Sequence, residues 1–266
     1  MTTRSDPAAT ATASRHDRAS LAARSADALQ EIRARKPFVL AITNTVAQHF
    51  TANGLLAVGA VPCMARNPEE IEAFVESADA VLLNLGTMIP AEFELMQMAA
   101  VACNRFGKPF VLDPVFAERS PKRLALALKL LRARPAIAKF NAGEASAMGR
   151  DVQPGTAALV TGARDRLDHG GRSAVLANGH PLLGEITATG CLLGAFLAAC
   201  LAVERDPFLA GIAGVSILNI AAEIAAPRAR GPGSFAVELI DALAMLDRLT
   251  IETRFKLEEF RTDAPR

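Results

Sequence analysis

The sequence has no tryptophan and no tyrosine, so stacking on a flat ligand would fall to phenylalanine, histidine, methionine or backbone. It also lacks an excess of either charge: Lys and Arg total 29, Asp and Glu 28, for a net charge of +1. A dedicated nucleic-acid binder draws most of its affinity from neutralising phosphates, so this balance argues against one. No uninterrupted apolar run reaches the roughly 18–20 residues of a bilayer span. The longest greasy stretch, residues 192–203, is alanine-rich and suits a buried helix, so no membrane partner is expected. Four cysteines (Cys63, Cys103, Cys191, Cys200) are scattered without CxxC spacing or a histidine cluster. That pattern argues against a disulfide framework or a zinc site and fits free thiols in a reducing, cytoplasmic compartment. There is no internal repeat, no secretory apolar segment and no linker. Residues 1–20, rich in Ala, Ser, Thr and Arg, read as a disordered leader, although a transit peptide has a similar composition. Residues 21–266 read as a single domain.

What the sequence does contain is alternation. Residues 38–42, 80–85, 110–112 and 158–160, and more weakly 136–138, are apolar throughout, save Asn84 in the second. Such runs indicate strands buried on both faces, as in parallel sheets. Helical periodicity occupies 21–35, 68–77, 91–106 and 121–132 between them, the signature of an α/β layer fold. Asn178-Gly179 stands between the apolar runs 173–177 and 182–186, and this predicts a tight antiparallel hairpin. From Cys191 to about residue 249 the pattern is helical, broken at Asp206-Pro207 and Gly231-Pro232-Gly233.

Three places could carry chemistry. In Thr187-Ala188-Thr189-Gly190-Cys191 a glycine-bearing turn opens a helix, exposing N–H groups along the helix dipole. Such a turn can hold a transferring phosphoryl group, and the dipole would favour a thiolate at Cys191. The same residues also suit a plain helix cap with a buried cysteine behind it. Asp113 and Glu144 follow predicted strands, where carboxylates converge on the ligand crevice of open α/β sheets. Two such groups can share Mg²⁺ with waters and phosphates; alternatively they cap a turn and sit solvated on a helix. Finally, amides and hydroxyls crowd residues 43–54 directly after a buried strand, a density suited to polar recognition of a neutral ligand.

Taken together, these stretches resemble the hydroxyethylthiazole kinases of thiamine salvage, in the ribokinase-like superfamily. The matching segments include Phe50-Thr51-Ala52-Asn53-Gly54-Leu55-Leu56-Ala57, Asn84-Leu85-Gly86-Thr87, Asp113-Pro114-Val115, Asn141-Ala142-Gly143-Glu144, Thr189-Gly190-Cys191 and Gly231-Pro232-Gly233-Ser234-Phe235, in the family's order. The resemblance implies a three-layer sandwich with a central, mostly parallel sheet between helices. It implies a homotrimer with active sites at subunit interfaces, Mg²⁺, and ATP as co-substrate. The reaction implied is phosphorylation of the primary alcohol of 4-methyl-5-(2-hydroxyethyl)thiazole. By position, Cys191 is the catalytic residue and Asn44, Met64, Ala188 and Gly190 contact the substrate. Lys139, Thr161, Asp113 and Glu144 serve ATP, the last two also Mg²⁺, directly or through water. Departures fall on the nucleotide side: Phe116 and Glu118 where small residues are usual, Phe140 before Asn141, and Ala163 after Thr161-Gly162. Asn141 and Thr161 are only 20 positions apart, which implies a missing helical connection and a locally exposed sheet. A paralogue acting on another small heterocyclic alcohol, or binding the thiazole without turnover, fits the same motifs.

Overall fold

The computed structural model describes residues 13–262. The apolar runs become strands of a nine-stranded sheet: β1 (Phe38–Ile42), β2 (Val61–Cys63), β3 (Ala80–Asn84), β4 (Phe110–Asp113), β5 (Ile137–Phe140), β6 (Ala157–Val160), β7 (Asp165–His169), β8 (Arg172–Leu176) and β9 (Leu257–Thr262). Their spatial order is β2-β1-β3-β4-β5-β6-β7-β8-β9. Pairing is parallel from β2 through β6 and antiparallel from β6 to β9.

Successive strand residues point to opposite faces, and each face has its own helical layer. Val39, Ala41, Leu82 and Val111 face a core formed with α1 (Arg15–Arg35), α2 (Gln48–Ala57), α7 (Thr189–Val203), α8 (Pro207–Ala225), α9 (Pro232–Met245) and α10 (Arg248–Arg254). Leu40, Ile42, Leu83 and Leu112 face a second core formed with α3 (Ile71–Ser77), α4 (Pro90–Phe106), α5 (Pro121–Arg132) and α6 (Ala142–Met148). This is the three-layer sandwich expected from the alternating pattern. The helix α8, extended through Arg228, is long and apolar enough to cross a membrane, but 83% of its apolar window is buried within the fold. It exceeds residues 192–203 as the longest apolar element.

Three local expectations change. Helix α1 starts at Arg15, inside the segment read as a leader, with Ser14 and Asp17 forming a reciprocal capping box; residues 1–12 lie outside the described residues. The hairpin predicted at Asn178-Gly179 does not form. Residues 182–186 are no strand, and Pro181–Gly184 is a turn of 3-10 helix. The reason is tertiary: Asn178 is buried, donating from Nδ2 to Glu223 and to the Arg254 carbonyl and accepting from Lys256 N–H. It therefore ties α8 to the end of α10 instead of turning the chain. The tight hairpin lies earlier, between β7 and β8, where Gly170 and Gly171 both take positive φ (56° and 76°). The link from β5 to β6 keeps only the seven-residue α6 and a 3-10 turn at Gly149–Asp151. Beyond it, Ala158 and Val160 of β6 are only partly covered, as the shortened connection predicts.

Candidate active site

The strand ends β1, β3, β4 and β5 converge on the first turn of α7. Asn84 and Asp113 are register neighbours closing β3 and β4, and Asn44 lies two residues beyond β1. Asn84 Nδ2 donates to Asp113 Oδ2 at 2.8 Å and to Cys191 Sγ at 3.3 Å. Asn84 Oδ1 accepts from Gly86 N–H at 3.1 Å and from Asn44 Nδ2 at 3.4 Å. Asn44 Nδ2 also approaches Cys191 Sγ at 3.6 Å, and its Oδ1 accepts from Ala47 N–H at 3.0 Å. On the other side of Asp113, Lys139 Nζ sits 3.0 Å from Oδ1, with both side chains buried. That ion pair leaves Oδ1 without a well-directed hydrogen bond.

Burial pulls the Lys139 ammonium down, but the carboxylates of Asp113 and Glu144 more than restore it, so it stays protonated. Burial pushes the Asp113 carboxyl up against the opposing pull of Lys139 and Asn84. Glu144 is buried as well: Oε2 accepts from Asn141 N–H at 2.8 Å and Oε1 from Phe116 N–H at 2.9 Å. Its carboxyl is pushed up, chiefly by burial, with the Asn141 N–H opposing. The solvated helix position considered for Glu144 is thereby replaced by a buried tie between two loops. For Cys191 the expectation from the helix dipole is reversed. Burial and the nearby Asp113 push the thiol up, and Lys139, Asn84 and Asn44 only partly offset them. Desolvation outweighs the dipole here.

Ala188 holds the turn in the left-handed region, φ 77°, an uncommon place for a residue with a Cβ. Its carbonyl accepts the Leu192 N–H, so the N–H groups of Thr189, Gly190 and Cys191 precede the first intrahelical bond. Thr189 Oγ1 is anchored on the Leu183 carbonyl at 2.7 Å. A Cβ on Gly190 would stand 3.8 Å from Lys139 Nζ, which places the ammonium beside the turn. On this side opens a cavity of about 570 Å³, lined by Lys139, Thr161, Gly162, Thr189, Gly190 and Asn219 among others. Thr161 is fixed by its N–H and hydroxyl, both donating to the Phe140 carbonyl. Asp165 lies beneath the loop, accepting from Gly162 N–H at 3.1 Å and from Asn219 Nδ2 at 2.7 Å.

The structure thus brings Asn44, Asp113, Lys139, Glu144, Gly190 and Cys191 into one cluster, with Ala188 setting the turn and Thr161 across the cavity. Met64 follows the edge strand β2 and is half-buried against the core on the α1–α2 side. Phe116 is 54% exposed, and it meets the cluster through its backbone N–H on Glu144. Arg164 pairs with Glu258 at 3.0 Å on the surface. Sequence reasoning passed over Asn84, Asp165 and Asn219. Asn84 and Asn219 each carried a signal, a polar residue set in an otherwise apolar element; Asp165, in the polar strand Asp165–His169, carried none.

A family model described as the hydroxyethylthiazole kinase family matches residues 29–153 and 151–248. The two matched segments meet in the shortened connection between β5 and β6. A hydroxyethylthiazole kinase of Granulibacter bethesdensis is 40% identical over 240 residues, 81% of this chain and 88% of that protein. One from Pyrococcus furiosus is 37% identical over 87% of this chain and 97% of its own length. The solved structure of the hydroxyethylthiazole kinase protein from Pyrococcus horikoshii OT3 superposes with a TM-score of 0.85 at 38% identity, covering 88% of this chain and 98% of that one. A ribokinase-like superfamily protein of Enterococcus faecalis shares the fold, with a TM-score of 0.61 at 13% identity, covering 84% of this chain and 95% of that one. With a family match across most of its length and relatives this similar, the chain belongs to the hydroxyethylthiazole kinase family.

Proposed function

We propose that this protein transfers the γ-phosphoryl group of ATP to the primary alcohol of 4-methyl-5-(2-hydroxyethyl)thiazole, a step of thiamine salvage. The observation carrying this reading is the junction at α7, where Cys191 Sγ, two amide side chains and the Asp113–Lys139 pair meet beside a cavity floored by free helix N–H groups. The cavity takes the nucleotide, with Lys139 and Thr161 as its polar contacts. N–H groups from Thr189 to Cys191 and the Lys139 ammonium receive charge that develops on the phosphoryl oxygens. Phosphoryl transfer through a loose transition state asks for alignment more than for a strong base. A thiol pushed up by burial suits that demand: Cys191 Sγ orients the acceptor oxygen, whose proton becomes acidic only as the new P–O bond forms. Asn44 and Gly190 border the acceptor position, and Met64 and Ala188 complete the substrate side.

Mg²⁺ fits the residues present. Asp113 Oδ1 is a buried carboxylate oxygen with no directed hydrogen bond, and Glu144 is close enough to feel its charge. Among the described residues no group of three or more His, Cys, Asp or Glu forms a cage, as suits an ion that shares its shell with phosphates and water. Asp113 and Glu144 would hold it, directly or through water, and it would neutralise charge on the polyphosphate. The chain from the start of α1 onward acts as one cytoplasmic kinase domain. The exposed apolar side chains Val46, Leu56 and Val61 beside the substrate segment support a homotrimer that completes each site with a neighbouring chain. A coupled ADP-release assay with the thiazole alcohol, ATP and Mg²⁺ tests the activity. Turnover supports the reading, binding of the alcohol by calorimetry without turnover rejects it, and sedimentation as an active monomer rejects the shared site.

A further inference from the structure

Asn84 hydrogen-bonds to both Cys191 and Asp113, and it is wholly buried at the end of β3. It therefore cannot contact a substrate, and any effect it has must pass through its neighbours. Its amide offers two N–H donors and one carbonyl acceptor with two lone pairs, and all four directions are used. The donors go to Asp113 Oδ2 and Cys191 Sγ, and the carbonyl accepts from Gly86 N–H and Asn44 Nδ2. This network fixes which way the amide points. Turned over, it would set its oxygen against the Asp113 carboxylate and its NH₂ against the Gly86 N–H. Gly86 holds the arrangement from the other side: a Cβ there would lie 2.6 Å from Asn44 Nδ2 and 3.1 Å from Asn84 Oδ1.

We propose that Asn84 is a positioning residue for phosphoryl transfer, one rigid amide that aligns Cys191 Sγ on the acceptor side with Asp113 on the phosphate side. The assignment builds on the kinase reading given above. With both hydrogens committed, the amide occupies lone-pair directions on sulfur and leaves the S–H free to turn toward the acceptor oxygen. It also holds Asp113 Oδ2, so that Oδ1 is the oxygen left for Lys139 and the phosphate side. Asn44, expected to serve the substrate alone, is a partner in this network and shares the sulfur.

Two measurements test this. Asn84→Asp keeps the shape but replaces a donor with an acceptor, so access to the sulfur is unchanged. Alkylation by iodoacetamide, resolved at Cys191 by peptide mass spectrometry, should slow about tenfold or more, the loss expected when a hydrogen bond to a charged group is removed. Labelling of Cys63 should not change. This readout needs no substrate, so it judges Asn84 even if the thiazole alcohol is not turned over. The second is a double-mutant cycle on turnover. Asn84→Ala should lower kcat about 100-fold, comparable to losing a transition-state contact, while calorimetry shows the alcohol still binding. On a Cys191→Ser background the same change should cost about tenfold less, since the two residues act as a unit. Unchanged Cys191 labelling in a folded Asn84→Asp protein would overturn the proposal. Should that variant not fold, fully additive effects in the cycle would do so.

Discussion

The two halves of the sheet build their sides of the site by different means. In the parallel half, side chains do the work: Asn44, Asn84, Asp113 and Lys139 lie at or within two residues of the ends of neighbouring strands and meet within hydrogen-bonding distance. In the antiparallel half, side chains mainly hold backbone. Asp165 at the start of β7 and Asn219 in α8 fix the Thr161–Ala163 loop and the Asn178 carbonyl, and that loop helps wall the cavity. Parallel strands bring all their C-terminal ends to one edge, so polar residues placed there converge without a long loop. Antiparallel strands alternate direction and deliver turns instead. A buried charge pair is sensitive to loss of either partner, whereas a backbone loop held by several bonds gives way by degrees. The expected consequences differ accordingly.

The largest effect should come from Asp113→Ala. It strands the Lys139 ammonium in a buried site and leaves an Asn84 donor without its acceptor, a loss of about 3–5 kcal/mol of stability. Turnover should fall by about 10³-fold, as when a key electrostatic group is removed. Denaturant unfolding and the ADP-release assay measure these. The double variant Asp113→Ala, Lys139→Met should recover a substantial part of the stability but none of the activity. If the double variant is as unstable as the single one, the pair is not what makes this half brittle.

Next is Gly86→Ala, a single methyl aimed at the amide network. The Cβ would meet Asn44 Nδ2 and Asn84 Oδ1 inside normal contact distances, and both belong to the cluster. Overpacking of this kind costs about 1–3 kcal/mol, and kcat should drop with it because both amides face Cys191. A fully active, stable Gly86→Ala protein would mean that the amides can move aside, and the contrast between the halves would weaken.

On the antiparallel side the effect should be milder and of another kind. Asp165→Ala releases Gly162 N–H and Asn219 together, so the cavity wall loosens while Cys191 and Asp113 keep their partners. KM for ATP should rise about tenfold, the scale of one or two lost hydrogen bonds to a carboxylate. The KM for the alcohol should remain within about threefold, since the two regions do not share partners. A fall in kcat with ATP binding unchanged would place Asp165 with the chemistry instead.

Much of this was legible in the residues. Unbroken apolar runs at 38–42 and 80–83 announced buried parallel strands, and the Thr189-Gly190-Cys191 turn announced a helix start able to face an anion. The start of α1 at Arg15 was missed although its signal, the Ser14–Asp17 capping box, is local; the other failures share one cause, a polar group whose partner is distant in sequence. Asn178-Gly179 has the composition of a turn, but Glu223 and Lys256, far along the chain, claim the Asn178 side chain. Asn84 ended an apolar run and was quoted within a motif, but its role depends on Cys191, 107 positions away. The ionisation of Cys191 was misjudged for a related reason. A helix dipole can be read from local sequence, whereas burial by four strands cannot.

The smallest effect, and the one that isolates charge from packing in the antiparallel half, concerns Asp206. It caps α8 by accepting from Phe208 N–H, and it binds Arg172 through both oxygens at 2.6 and 2.8 Å. Burial pushes its carboxyl up, but the Arg172 hydrogen bonds and the Phe208 N–H outweigh burial and the net shift is downward. A lowered carboxyl contributes stability that is present above the ordinary value of 3.8 and is lost as pH falls through the folded value. Glu144 and Asp165, pushed up by burial, have the opposite slope: what they contribute declines as pH rises from the unfolded toward the folded value. Asn is as good a cap as Asp, so Asp206→Asn removes the charge and little else, while Arg172 keeps its place over the Phe208 ring at 4.5 Å. The variant should lose no more than about 1 kcal/mol at pH 7, the range of a partly exposed ion pair. That gap should close as the pH falls below the usual aspartate range, because the wild-type carboxyl is then protonated too. Urea midpoints at pH 7 and in acid measure both quantities. A gap that stays constant with pH would mean that the paired hydrogen bonds of the carboxyl to Arg172, not its charge, are what Asp206 supplies, and that the antiparallel half is held by hydrogen bonds alone.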